Sequence, residues 1–350
     1  MPSTGPSQAE RLAAYGAVST RLALISDRRL AEMTATATPL GSGIGGRSAE
    51  LRLGGTPVFV KRVPVTELEL RPEHARSTAN LFGLPTYYQY GMGSAGFGAW
   101  RELAAHVMTT NWVLGGEYDG FPLMYHWRIL PDRPPEGFVD EFGSIDAAVA
   151  HWEGSSAVRR RLEAIGRSAF SLVLFLEHVP TTLADCLGGR SQTGVSKEVE
   201  GFQPHAWVEE ALILGTDFMS SRGFVHFDAH FANILTDGHR LYFADLGLAL
   251  SSDFALSPEE QAFLTHHRAY DHCSTMGHLL RRHLLDGICG EKPYRAVLHD
   301  WIAGHRPGGL SPAAAAIVDR HASAALVLAD WHHQLLTESK QSPFPAARLP

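Results

Sequence analysis

The chain has 350 residues, of which 45% are hydrophobic and 19% charged, and its formal net charge is −7. That length exceeds one average domain and suits two lobes of ordinary globular composition. The acidic balance argues against nucleic acid as a partner, because phosphate binding needs clustered Lys and Arg, and three cysteines without a CxxC pair argue against a disulfide framework.

The Leu22–Ile25 run is too short, and too closely flanked by charge, for a signal peptide. The longest apolar run, Phe170–Leu176, falls far short of the roughly 20 residues that a membrane-spanning helix needs. A soluble cytoplasmic protein with no membrane partner is expected.

Residues 7–35 read as one or two amphipathic helices, with Leu12, Tyr15, Val18, Leu22 and Ile25 three or four apart. A glycine-rich loop, Gly41-Ser42-Gly43-Ile44-Gly45-Gly46, precedes two strands, Ala49–Leu53 and Val58–Lys61, joined by a Gly54-Gly55-Thr56-Pro57 turn. Residues 64–100 read as irregular and Trp100–Leu114 as a helix, while Pro122–Tyr125 and Ser171–Val179 look like strands. Pro131–Gly166 combines a Pro-rich loop with a charged helix near Arg159–Arg161. Trp207–Ser221 reads as a buried helix closed by Gly223. Two short apolar segments follow, Phe224–Asp228 and Leu241–Asp245, and residues beyond Phe254 look helical up to a Pro-rich tail at 343–350.

The chemistry concentrates at the ends of those two segments. Asp228 precedes Asn233 by five residues, and Asp245-Leu246-Gly247 begins twelve further on. The first acid can orient an attacking hydroxyl and accept its proton. The asparagine amide and the last acid are hard oxygen ligands suited to Mg²⁺.

The stretch from His226 to Leu235, with Asp245-Leu246-Gly247, resembles the catalytic and metal-binding loops of the protein-kinase-like superfamily. The resemblance runs backwards through the chain in order, over residues 41–247. Gly41, Gly43 and Gly46 match its glycine loop over the phosphates, and Lys61 matches the lysine on the α- and β-phosphates. Only four lysines occur, so one at this place stands out; an ammonium differs from a guanidinium in size and reach. The resemblance implies a carboxylate partner for Lys61. Glu102 is the candidate, with Glu67, Glu69 and Glu73 as rivals. It also implies a hinge at Leu176–Val179, with adenine on the backbone C=O of Glu177 and N–H of Val179.

Phe227 and His230 stand where protein kinases carry Arg and Lys, and a His two residues after the Asp is similar to aminoglycoside-phosphotransferase-type small-molecule kinases. Asp245-Leu246-Gly247 is closer to the protein-kinase triplet. Without an arginine at 227, phosphorylation of the following loop lacks its usual docking partner. The resemblance thus implies an α+β, bilobal fold. Residues 1–40 form a helical extension, 41–179 a nucleotide-binding N-lobe with an insertion in 64–99 or 126–168, and 180–350 a helical C-lobe. It implies ATP and Mg²⁺ (on Asn233 and Asp245) as cofactors, and Asp228, Asn233 and Lys61 as catalytic residues. The acceptor is a small-molecule hydroxyl of antibiotic, nucleoside or sugar type. A protein Ser/Thr kinase or kinase-like regulator is the alternative, and an ATP-binding module without turnover a third reading.

Blander readings attach to the same residues. The glycine run alone is a plain turn. His226 reads as a structural prop, and His230 as either a phosphate contact or a backbone bridge. His226 and His230, or the cluster His266, His267, Asp271, His272 and Cys273, suggest zinc. A zincin helix, however, needs Glu directly after the first His, where Phe227 stands. Asp271 is read instead as a brace for the catalytic loop, and His332 and His333 as a solvated helix face.

Overall fold

Residues 56–65 alternate the faces of their side chains, as any strand must. In the computed structural model, which describes residues 6–188, 204–290 and 292–349, they form the middle of an antiparallel five-stranded sheet. Its strands are β1 (Thr38–Gly43), β2 (Gly46–Leu53), β3 (Thr56–Val65), β4 (Met124–Pro131) and β5 (Phe170–Glu177), in the order β1-β2-β3-β5-β4. β3 pairs with β5 from Val58↔Glu177 to Val65↔Phe170. β5 is buried from Ser171 through Leu176, which is why its sequence is an unbroken apolar run rather than an alternating one.

The two faces of the sheet are covered differently. Val63, Val65, Leu172 and Leu174 pack with Ala99, Trp100 and Leu103 of helix Ala99–Leu114. Each such side chain removed from water contributes about 1.5–3 kcal/mol. Helices α1 (Gln8–Ala23) and α2 (Asp27–Ala35) pack against β4, burying Val18, Leu22 and Leu30. Ser7 and Glu10 form a capping box that starts α1, and the Ser26 side chain caps α2.

Four further helices complete this part: α3 (Glu67–Leu70), α4 (Ala99–Leu114) and the pair α5 (Ile145–His151) and α6 (Ser156–Ile165). The two segments read as insertions pack on each other. Phe82, Leu84, Tyr88 and Phe97 share a core with Trp152, Val158, Leu162 and Ile165. Short 3₁₀ turns at Pro72–His74 and Thr86–Gln89 punctuate the otherwise irregular stretch before α4.

The chain divides into two compact units. One comprises Pro6–Val179 with Asp245–Gln261, and the other Pro180–Ala244 with residues from Ala262 onward. Residues 6–40 and 245–261 fall in the unit of the sheet: the first pack on β4, and the second follow Asp245, which is bonded to Lys61.

The second unit holds a three-stranded sheet, order β6-β8-β9, of β6 (Thr181–Thr182), β8 (Ile234–Thr236) and β9 (Leu241–Phe243), together with the short strand β7 (Phe224–Val225). Around it lie α7 (Leu183–Leu187), α8 (Pro204–Ser221), the end of α9 (Pro258–His266), α10 (Tyr270–Leu279), α11 (Asp286–Cys289), α12 (Tyr294–Ile302) and α13 (Pro312–Thr337). Gly223, at φ 64°, follows α8, as the C-terminal glycine pattern requires. The chain is therefore mixed α+β. Among the described residues no helix is long and apolar enough to cross a membrane.

Candidate active site

Lys61 shares its strand face with Val63 and Val65, so it points toward α4. There its Nζ meets Glu102 Oε1 at 2.7 Å and Asp245 Oδ1 at 2.8 Å. Lys61 and Glu102 are buried, whereas the Asp245 side chain keeps 43% of its exposure. Burial by itself disfavours the charged ammonium. The two carboxylates outweigh it and hold the Lys61 pKa above its ordinary value. Of the rival acids, Glu67 and Glu73 are exposed, and Glu69 is paired with Arg161 at 2.9 Å. Asp245 is a second partner that no spacing in the sequence points to, because 184 residues separate it from Lys61. Its backbone is left-handed, at φ 58°, a conformation Asp tolerates better than most residues, and Gly247 lies against the Glu102 carboxylate.

The glycine run forms the β1–β2 hairpin, with Ile44 and Gly45 at its tip. A Cβ at Gly45 would lie 3.8 Å from Lys61 Nζ. Gly46 has φ 123°, and a Cβ there would sit 2.2 Å from the Arg62 carbonyl oxygen, so only glycine fits. Gly41 and Gly43 are exposed on β1, and nothing packed around them demands glycine.

Glu177 ends β5, with its N–H donated to Leu123 O at 2.8 Å. Its carboxylate is occupied by Arg11, with Nε–Oε1 at 2.8 Å and Nη2–Oε2 at 2.7 Å, and by the Leu123 N–H. The same guanidinium donates to the carbonyls of Asp119 and Phe121. The side chain at 177 thus anchors α1 to the sheet. Val179, two residues on, is half-buried.

In the other unit the Asp228 loop is built on Asp271, a buried residue of α10. Its carboxylate accepts the His226 N–H at 2.6 Å and the Phe227 N–H at 2.9 Å. Desolvation pushes the Asp271 pKa up to about 7, and the two N–H groups oppose that rise. Phe227 adopts φ 64°, an outlier for a bulky residue. Its ring is buried against Tyr270, Phe263 and His267, with centroids at 5.0, 5.6 and 5.7 Å. Packing and the Asp271 bonds together hold the strained turn.

His226 is fully buried. Nδ1 accepts the Asp228 N–H at 3.3 Å, which places the ring proton on Nε2, donating to Ala244 O at 2.8 Å. Asn233 Nδ2 donates to both the backbone O and Oδ2 of Asp228, at 3.0 Å each. The amide oxygen is the atom of that side chain which these bonds leave unused. Asp228 is half-buried; exposed His230 places Nε2 3.9 Å from Asp228 Oδ1.

The histidine-rich cluster is occupied otherwise. His267 stacks on Phe263 and Phe344, with ring centroids at 3.8 and 4.4 Å. Among the described residues no three His, Cys, Asp or Glu side chains gather in a way that could hold a metal ion. His332 is half-buried rather than solvated, and its pKa is pushed down to about 4 by that burial and by Arg281. The sequence matches no protein-family model, and no curated protein matches it.

Proposed function

We propose that this chain is an ATP-dependent O-phosphotransferase of bilobal kinase-like architecture, transferring the γ-phosphoryl group to the hydroxyl of a small molecule. The observation that carries the reading is the Lys61 ammonium, buried and kept charged between Glu102 and Asp245, beside a glycine hairpin. A cation fixed in β3 beneath the glycine hairpin suits the charge of nucleotide phosphates. The resemblance assigns Mg²⁺ to oxygens of Asn233 and Asp245. Both donors fit a hard cation that retains water and phosphate oxygens as its other ligands, and the ion would neutralise charge on the phosphates.

The chain's own residues do the rest. Lys61 holds the phosphates, with Glu102 fixing its ammonium. Asp228 orients the acceptor hydroxyl and takes its proton, while the Asn233 amide keeps that carboxylate in place. Positioning and electrostatics supply the rate in such chemistry. Asp245-Leu246-Gly247 favours a second reading, a protein Ser/Thr kinase or kinase-like regulator.

A panel of hydroxylated small molecules, coupled to ADP release, tests the proposal. Turnover with one of them, abolished by Asp228→Asn while ATP binding survives, is expected. Phosphate appearing only on protein would move the assignment to the second reading. Nucleotide binding without turnover on any acceptor would leave a binding module.

A further inference from the structure

Arg101, the residue before Glu102, is 98% withdrawn from solvent, yet it carries a charge. Its Nη2 meets Glu260 Oε1 at 2.6 Å, and the Glu260 side chain is equally buried. Nε donates to Thr78 O at 2.7 Å, and the Phe97 and Phe254 rings lie 4.8 and 5.9 Å from the guanidinium. Glu260 Oε2 accepts the Ser257 N–H at 2.9 Å as part of a local helix cap. That local role accounts for one carboxylate oxygen and leaves the bond to Arg101 unexplained.

The same two stretches are tied again. The Thr78 hydroxyl accepts the Ala255 N–H at 2.8 Å, and Gln89 Nε2 donates to Leu248 O. Gly96 lies so close to the Gly247 carbonyl that a Cβ would meet it at 2.7 Å. Glu69, clamped by Arg161, accepts the first N–H of α4 from Ala99 at 2.7 Å. The segment before α4 therefore joins the start of that helix to the segment that follows Asp245.

We propose that Arg101 and Glu260 are positioning residues for phosphoryl transfer, their buried pair holding Glu102 and Asp245 on Lys61 at all times. The proposal rests on the phosphotransferase reading. Consecutive helical residues lie about 100° apart around the axis, so a pinned guanidinium fixes the rotation of α4. A slip of about 30°, at a side-chain radius of roughly 5–6 Å, would carry the Glu102 carboxylate about 3 Å away. Assembly of the Lys61 set then needs no modification of the chain.

The test compares wild type with Glu260→Ala and Glu209→Ala. The second removes, within the other unit, a buried carboxylate bound to half-exposed Arg320 (2.6 Å) and to His321 (2.7 Å), and so controls for the loss of a buried acid away from α4. The readouts are Mg²⁺-dependent ADP release from ATP with water as acceptor, ADP affinity, and melting temperature. Glu260→Ala is expected to lose about 100-fold in kcat, with a smaller change in ADP affinity. Added formate, which can refill the carboxylate site on Arg101, should restore part of it. Glu209→Ala should keep its rate whatever melting temperature it loses. A folded Glu260→Ala with wild-type kcat overturns the proposal, as does a loss matched by Glu209→Ala without formate rescue. If Glu260→Ala does not fold, Glu260→Gln is read in the same way. A wild type that neither binds nucleotide nor releases ADP would instead defeat the phosphotransferase reading itself.

Discussion

Asp271 binds the backbone N–H groups of both His226 and Phe227, and with them it fixes a left-handed turn one residue before Asp228. Replacing it by alanine orphans two buried donors, each costing about 1–3 kcal/mol. Asp271→Ala should therefore destabilise by roughly 2–6 kcal/mol and abolish ADP release. Asp271→Asn retains one acceptor oxygen and should fall between alanine and wild type. Denaturant midpoints alongside ADP release check this. Unaltered turnover in Asp271→Ala would rule out bracing.

Phe227 presents two opposed effects. Glycine at 227 would relieve left-handed strain of about 1–2 kcal/mol, but it deletes a buried ring whose loss costs about 3–5 kcal/mol. Packing wins. Phe227→Gly should be less stable than wild type by roughly 1–4 kcal/mol, as read from urea unfolding. A stabilised variant would mean that strain, not packing, dominates the turn.

Lys61→Ala leaves Glu102 buried without a cation, which costs about 3–5 kcal/mol. The double variant Lys61→Met, Glu102→Leu should recover most of that stability and remain inactive. Lys61→Arg keeps the charge but cannot set a planar fork between carboxylates that meet one atom at 2.7 and 2.8 Å. It too should lose activity. Calorimetry on the three proteins separates the stability effect from the chemical one.

Four histidines of the second unit have pKa values pushed down to about 4 from 6.5: His267, His278, His283 and His332, in each case chiefly by burial. A depressed histidine stabilises the fold above pH 6.5, and that contribution is lost as pH falls toward 4. Asp271, raised from 3.8 to about 7, acts in the opposite sense, since its contribution is lost as pH rises through 7. Four groups outweigh one, so stability should fall from pH 7 to pH 4, and more steeply in Asp271→Asn. Denaturant midpoints that rise on acidification would refute this balance.

The sequence made some of this visible through periodicity. The face that carries Lys61 follows from alternation in β3, and α4 follows from the apolar spacing of Trp100–Leu114. The brace at Asp271 is readable only through the resemblance, which implies a core helix where His266–Cys273 lie. Residues 64–99 were read as irregular because they carry no period. Their order comes from a core shared with residues roughly 60–80 positions on (Tyr88 and Phe97 on Trp152 and Ile165) and from buried polar groups, Glu69 and Gln89, whose partners lie 92 and 159 residues away. Asp245 on Lys61, Glu260 on Arg101 and Glu177 on Arg11 escaped for the same reason: a long-range ion pair leaves no local signature. His332 was placed on a solvated face by charge pattern alone, and tertiary packing covered it.

The Arg11–Glu177 fork bears on how the polypeptide may be trimmed. A chain cut back to Thr38, where the sheet begins, would lose α1 and α2, uncover β4 and leave the acid at the end of β5 without its cation. The amino-terminal helices are masonry of the sheet they pack on, and affinity tags or protease sites belong ahead of Ser7, outside the cap that starts them.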